Sequence, residues 1–340
     1  MIMLPMLLAI AALQEVPVPR EVHVFHDWAV ACDNGRHCQA LALDAEAPTE
    51  DYNGVLVIER GPEAEAPLQL RLYRVDGTPA RLAVYGEALP ARLIAAEGDF
   101  RIELQDRGVF IDRTLYADQI ELQDAGGAVI GRISVKGLRW AMLYMDEAQG
   151  RLHTRSALIR TGRRPASDVP AAPPVPEVRI APATSEAALA IPASRLAALR
   201  RDTGCTIEEM GGPDEVVIAA LGGGRTLVLL ACGSGAYNVS MVPFVATREG
   251  RSIRIEPAPF DVPLDENEEA EGRRYLINAT WDSASRTIED FYKGRGLGDC
   301  GNRSRYAWDG ERFRLVNREE MPECRGSSVY LTTWRAAVRP

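Results

Sequence analysis

The amino-acid sequence predicts a mainly β protein, a β-rich α+β chain of two antiparallel β domains, the first β-sandwich-like with one helix, joined by a Pro-rich linker. Three observations lead there. Short strand-like runs bounded by turn residues recur along the chain, a single long stretch lacks periodicity, and six cysteines fall into neighbouring pairs. A length of 340 residues exceeds one ordinary core and suits two of about 150 residues each. The expected segments are a signal peptide at 1–18, a β-sandwich-like domain at 19–162, a Pro/Ala-rich linker at 163–190 and a disulfide-bonded β domain at 191–340.

Taken in chain order, Ile2 to Leu13 form an apolar run that ends in Ala9-Ile10-Ala11 and gives way to Gln14-Glu15. It is shorter than the roughly 20 residues a membrane-crossing helix needs, and it matches a signal-peptide core. The expectation is export to a periplasmic or secreted location, with cleavage between Ala12 and Val18 and no membrane span afterwards. Strand-like runs follow at Val55 to Glu59, Phe100 to Leu104, Gln119 to Gln123 and Val129 to Val135. Leu68 to Val75 and Leu82 to Tyr85 flank Asp76-Gly77-Thr78-Pro79 and read as a hairpin with a three-residue loop, the register that keeps their apolar faces together. Leu138, Ala141, Met142 and Met145 recur at helical spacing, so a helix is predicted over Leu138 to Gln149 with Gly150 as its left-handed cap, and Ser156 to Arg160 reads as a closing strand.

Pro165, Pro170, Pro173, Pro174, Pro176 and Pro182 then punctuate a stretch that behaves as a semi-rigid spacer. Beyond it, a helix is predicted over Pro192 to Arg201 and strands over Val216 to Leu221 and Thr226 to Leu230, joined at Gly222-Gly223-Gly224-Arg225. In Tyr306-Ala307-Trp308-Asp309-Gly310-Glu311-Arg312-Phe313 the Asp-Gly pair predicts a two-residue turn that sets Tyr306 against Phe313, with the aromatic side chains in the core.

A net charge of -9 and a pI near 5.2 exclude a general nucleic-acid or anionic-membrane binder, since both need a surplus of cations. An even cysteine count in an exported chain points to disulfides. Of fifteen possible pairings, the simplest is local: Cys32–Cys38, Cys205–Cys232 and Cys300–Cys324. Close C-x2-C pairs and accompanying histidines are missing, so no metal site is expected, and no cofactor motif is satisfied.

The densest motif is Lys293-Gly294-Arg295-Gly296-Leu297-Gly298-Asp299-Cys300-Gly301. Its G-x-G-x-x-G spacing does not open a helix, so a dinucleotide site fails on context. Two readings remain: a structural turn held by Cys300, or a backbone nest for an anionic group with Lys293, Arg295, Gly296, Gly298 and Asp299 as the binding residues. Asp261, Asp265, Glu266, Glu268, Glu269 and Glu271 read as a solvated acidic loop, because calcium-loop spacing is absent. All four histidines precede Thr154, which leaves the glycine-rich half without an imidazole base.

Four strings resemble the proteobacterial envelope proteins grouped as domain of unknown function 1176 (DUF1176). They are Phe25 to Asn34 with Cys38, Met145 to Arg151, Cys232 to Asn238, and Lys293 to Gly301 continuing to Trp308-Asp309-Gly310. Residues 21–163 also look, more loosely, like the invasion-associated locus B family, which implies an envelope location and a sandwich-like domain. Neither resemblance supplies a catalytic residue. The expected function is therefore a periplasmic binding or envelope-maintenance protein without catalysis, its partner an envelope protein or glycan. The alternative is a carboxylate-dependent envelope enzyme that uses Asp299 with Lys293 or Arg295 at the glycine-rich loop.

Overall fold

The computed structural model describes residues 16–45, 54–73, 75–205 and 216–340. The apolar run expected to be a signal-peptide core lies outside them. The fold is mainly β, and among the described residues no helix is long and apolar enough to cross a membrane.

The first half contains β1 (His23–Phe25), β2 (Trp28–Cys32), β3 (Cys38–Ala42), β4 (Val55–Arg60), β5 (Leu68–Tyr73), β6 (Arg81–Val84), β7 (Glu87–Ala88), β8 (Ala91–Ala96) and β9 (Asp99–Leu104). Helix α1 (Arg107–Leu115), β10 (Gln119–Gln123), β11 (Val129–Ser134) and helix α2 (Leu138–Ala148) complete it. Seven strands form one antiparallel sheet in the order β1-β2-β3-β4-β5-β9-β8, and four form a second, β11-β10-β6-β7. Leu56, Ile58, Leu70 and Leu72 from the large sheet meet Leu82, Ile120, Leu122 and Ile133 from the small one. Leu138, Ala141, Met142 and Met145 of α2 close the same core, as their helical spacing predicts.

The other face of the large sheet is also covered. Ala29, Ala31, Leu41, Val55 and Val57 pack against Met321, Tyr330 and Leu331 from the far end of the chain. Burial on both faces explains why Trp28–Cys32 and the start of Val55–Arg60 are apolar without alternation.

The predicted hairpin between Leu68 and Tyr85 does not form. β5 pairs with β4 and β9, whereas β6 pairs with β10 and β7 in the other sheet. Both strands are apolar on one face, and the two sheets bury those faces against each other rather than side by side. The first half carries a second helix, α1, capped by Asp106, whose carboxylate accepts from the Val109 N–H. Ser156 to Arg160 is not a strand. It is an irregular turn whose Leu158 and Ile159 N–H groups donate to Asp146 instead of to a sheet neighbour.

The Pro-rich stretch is docked rather than a bare spacer. Its strand β12 (Glu177–Arg179) pairs in parallel with the final strand of the chain, and Val178 is buried beside Ala307 and Val316. Helix α3 (Ala193–Thr203) then lies on a sheet of β13 (Val216–Gly222), β14 (Arg225–Ser234), β15 (Val239–Glu249) and β16 (Ser252–Pro257). After helix α4 (Glu266–Glu271), the short β17 (Leu276–Ile277) pairs with β15. The last sheet runs in chain order through β18 (Thr280–Asp282), β19 (Thr287–Lys293), β20 (Gly301–Trp308), β21 (Phe313–Met321) and β22 (Leu331–Arg335); β23 (Ala337–Arg339) is the partner of β12. Three disulfides join Cys32–Cys38, Cys205–Cys232 and Cys300–Cys324, the local set.

The aromatic cluster is core, but its register differs from the prediction. Trp308, not Tyr306, faces Phe313, and the turn has four residues. Asp309 accepts from the Glu311 and Arg312 N–H groups and so stabilises the wider turn that its side chain favours.

Candidate functional site

The glycine-rich motif is the connection between β19 and β20, closed by the pairing of Lys293 with Gly301. Gly301 has φ +128°, and a Cβ there would lie 2.0 Å from the Tyr292 carbonyl oxygen, so only glycine fits. The structure brings Arg295 and Asp299 together, but with each other: Arg295 Nε is 2.7 Å from Asp299 Oδ1, and the fork holds the Asp299 carboxyl below its ordinary range. Asp299 also accepts from the Gly326 N–H. The Gly294 and Gly298 amides donate to the Cys300 and Arg295 carbonyls, inside the loop. Lys293 lies over the Phe291 ring, and the Gly296 backbone approaches the Tyr237 ring without crowding it.

The strings picked out by sequence meet here. Tyr237 and Asn238 donate to the carbonyls of Gly294 and Lys293, so Cys232 to Asn238 anchors the glycine loop. Beyond Cys324, Arg325 pairs with Asp27, and Arg335 pairs with Asp33 while its backbone exchanges two hydrogen bonds with the Asn34 side chain. The Phe25 to Asn34 string thus joins the two halves.

A different group of side chains, none of them singled out as binding residues by the sequence reading, surrounds a cavity of about 360 Å³ on the face of the last sheet. Strand alternation puts Asp290 and Tyr292 of β19 on one face, opposite Ser304 and Asn302 of β20, with Arg318 of β21 next in the row. The stretch from Val262 to Ile277 forms the facing wall and contributes Glu268, Arg274 and Tyr275.

The acidic run is solvated only in part: Asp265, Glu266, Glu269 and Glu271 are exposed, but the run forms α4 rather than a loop and two of its carboxylates turn inward. Asp265 caps α4 through a capping box with Glu268. Glu268 is buried, one oxygen accepting from the Asp265 N–H and the other from the Tyr275 N–H. The Asp261 side chain turns inward against Arg314. In these groups charge serves local geometry.

Asp290 is treated differently. It is 9% exposed, and Oδ1 accepts from the Ile277 N–H at 2.6 Å. Among the described residues Oδ2 has no hydrogen-bond partner. Burial pushes its carboxyl up to about 6, against the opposing pull of the Ile277 amide, Arg318 and Arg274. Neither arginine forms an ion pair with it. Arg318 is held by Ser304 and Glu320, and Arg274 donates to the Val262 and Pro263 carbonyls. The cavity therefore holds a carboxyl raised to about 6 beside Tyr275, Tyr292 and Tyr306. Such a constellation can offer a proton at mildly acidic pH and accept one above it.

A usable signal existed in the sequence. In Ile288-Glu289-Asp290-Phe291-Tyr292, strand parity places Asp290 on the same face as the core residue Ile288.

Comparison with known proteins adds breadth but no activity. The family model described as "Protein of unknown function (DUF1176)" matches residues 22–339. The "Uncharacterized protein YpfG" of Escherichia coli (strain K12) is 30% identical over 341 residues, covering 91% of each chain. No solved structure gives a significant match.

Proposed function

The chain belongs to the DUF1176 family, and from that premise we propose that it is an extracytoplasmic, non-catalytic binding protein whose cavity at Asp290 takes a glycan. The single observation that carries this reading is Asp290 itself, a nine-tenths-buried carboxyl with one oxygen uncommitted at a cavity wall. Tyrosine rings that offer apolar faces, beside a carboxyl, Asn302 and arginines that offer hydrogen bonds, match the alternating C–H and O–H surface of a sugar. Three disulfides suit an oxidising compartment such as the periplasm, and the looser likeness of residues 21–163 to the invasion-associated locus B family fits the same setting.

Catalysis by carboxylates needs two groups with different tuning and free access. Glu268, which lines the same cavity, commits both oxygens to backbone amides, and Asp299 is forked by Arg295. The glycine-rich loop in this reading positions β19 and the joint between the halves.

The test is isothermal titration of wild type, Asp290→Asn and Tyr292→Ala with a panel of envelope oligosaccharides. At least one should bind wild type and weaken by about tenfold, or about 1.4 kcal/mol, in both variants. Binding that neither variant alters would sink the reading. Cleavage products formed by wild type and not by Asp290→Asn would replace it with a carboxylate enzyme.

A further inference from the structure

The Met145 to Arg151 string serves neither the glycine loop nor the Asp290 cavity. It builds a buried polar cluster in the first half. Gln149 donates to the Arg36, Arg60 and Gly61 carbonyls, and Arg151 donates to Gln149 Oε1, the Ala64 carbonyl and Ser156 Oγ. Asp146 accepts from the Leu158 and Ile159 N–H groups and lies 3.6 Å from Arg60 Nη1.

The charges in this cluster do not balance. Arg60 and Arg151 are 1% and 0% exposed, and among the described residues Asp146 is the one carboxylate buried with them. Arg60 donates from Nε to the Ala66 carbonyl and from Nη2 to the Ser156 carbonyl, but Nη1 is buried with no hydrogen-bond partner. An unsatisfied buried guanidinium nitrogen is costly and needs an explanation.

Arg60 borders a cavity of about 340 Å³ whose other walls include Arg107, Arg155, Ser156, Ser167 and Glu65. Arg107 and Arg155 are exposed and, among the described residues, make no ion pair. They come from separate elements, the first turn of α1 and the irregular segment after α2, so the fold gathers like charges that repel. Burial, and after it the neighbouring Arg151, lowers the Arg60 guanidinium to about 10 against the opposing pull of Asp146.

We infer that this cavity binds the phosphate group of a small anion. Arg60, Arg107 and Arg155, with Arg151 behind them, face Asp146 and Glu65, which leaves two net positive charges around the cavity; a phosphate dianion neutralises them and a single carboxylate does not. Guanidinium forks match phosphate oxygens, and the Ser167 hydroxyl adds a neutral donor. The site is independent of the Asp290 cavity, which lies in the other half of the chain.

Isothermal titration of the full chain with inorganic phosphate, glucose 6-phosphate and acetate tests the inference, using wild type, the double variant Arg107→Gln with Arg155→Gln, and Asp290→Asn. Both substituted arginines are exposed, and thermal melting checks that the double variant stays folded. Phosphate-bearing probes should bind wild type and Asp290→Asn alike and weaken by at least about tenfold in the double variant. Tighter binding of glucose 6-phosphate would mark an esterified ligand, and equal binding a free ion; both support the site. Absence of binding by either phosphate probe overturns it, as does binding unaffected by the double substitution. Acetate bound as tightly as phosphate overturns the phosphate assignment.

Discussion

Asp146 in the first half and Asp290 in the second are both buried carboxyls near two arginines, yet their surroundings differ. Asp146 accepts from two backbone amides with both oxygens and has Arg60 beside it; Asp290 accepts from one amide with one oxygen and borders a cavity. Burial raises both carboxyls, and what divides them is the number of groups that hold the charged form. A carboxyl sealed by donors organises a fold, whereas one left short of donors at an open wall is retained at a cost in stability. Sites of that second kind are where binding and catalysis concentrate.

The largest expected effect breaks the sealed member. Asp146→Ala removes the acceptor of Leu158 and Ile159 and leaves two buried arginines without their carboxylate, a loss of about 3 to 5 kcal/mol. Urea unfolding followed by tryptophan fluorescence would measure it, and a loss below about 1 kcal/mol would mean that Asp146 is no better anchored than a surface residue.

The cross-links sharpen the comparison next. Cys300–Cys324 closes 24 residues and Cys32–Cys38 only 6, so the chain-entropy model gives about 3.5 and about 2 kcal/mol respectively. Paired Cys→Ala variants in denaturant titrations should keep that order. Equal losses would show that these bonds act through local packing rather than through the unfolded chain.

Much of the fold was legible in single residues. Strands such as Gln119–Gln123, the helix at Leu138–Ala148 and the local cysteine pairs follow from periodicity and spacing, which are properties of neighbours in sequence. Sheet membership was not, because β6 and β5 carry equally suitable apolar faces and only the tertiary packing sends β6 to β10. The Asp309 turn failed for a related reason: an Asp-Gly pair suits two turn lengths, and the side-chain cap chose the longer.

The binding residues divide in the same way. Glycine spacing marked Lys293 to Gly301, but glycines report backbone demands, and the loop uses its own charges internally. Asp290, Arg60 and Arg107 lie in ordinary runs, and their significance comes from what the fold brings against them. The acidic run misled because charge alone does not distinguish a solvated Glu269 from the buried Glu268.

The most direct test of the claim that Asp290 is poised rather than sealed is the stability difference between wild type and Asp290→Asn from pH 4 to pH 8. A carboxyl raised from 3.8 to about 6 on folding contributes stability below pH 4 that is lost as pH rises through 6. Asparagine keeps an acceptor for the Ile277 N–H without the charge. The account predicts near-equal stability at about pH 4 and a variant more stable at pH 8, by at most about 3 kcal/mol at 1.36 per pKa unit. A variant less stable than wild type at pH 8 would contradict it, because the charged Asp290 would then be a structural anchor like Asp146.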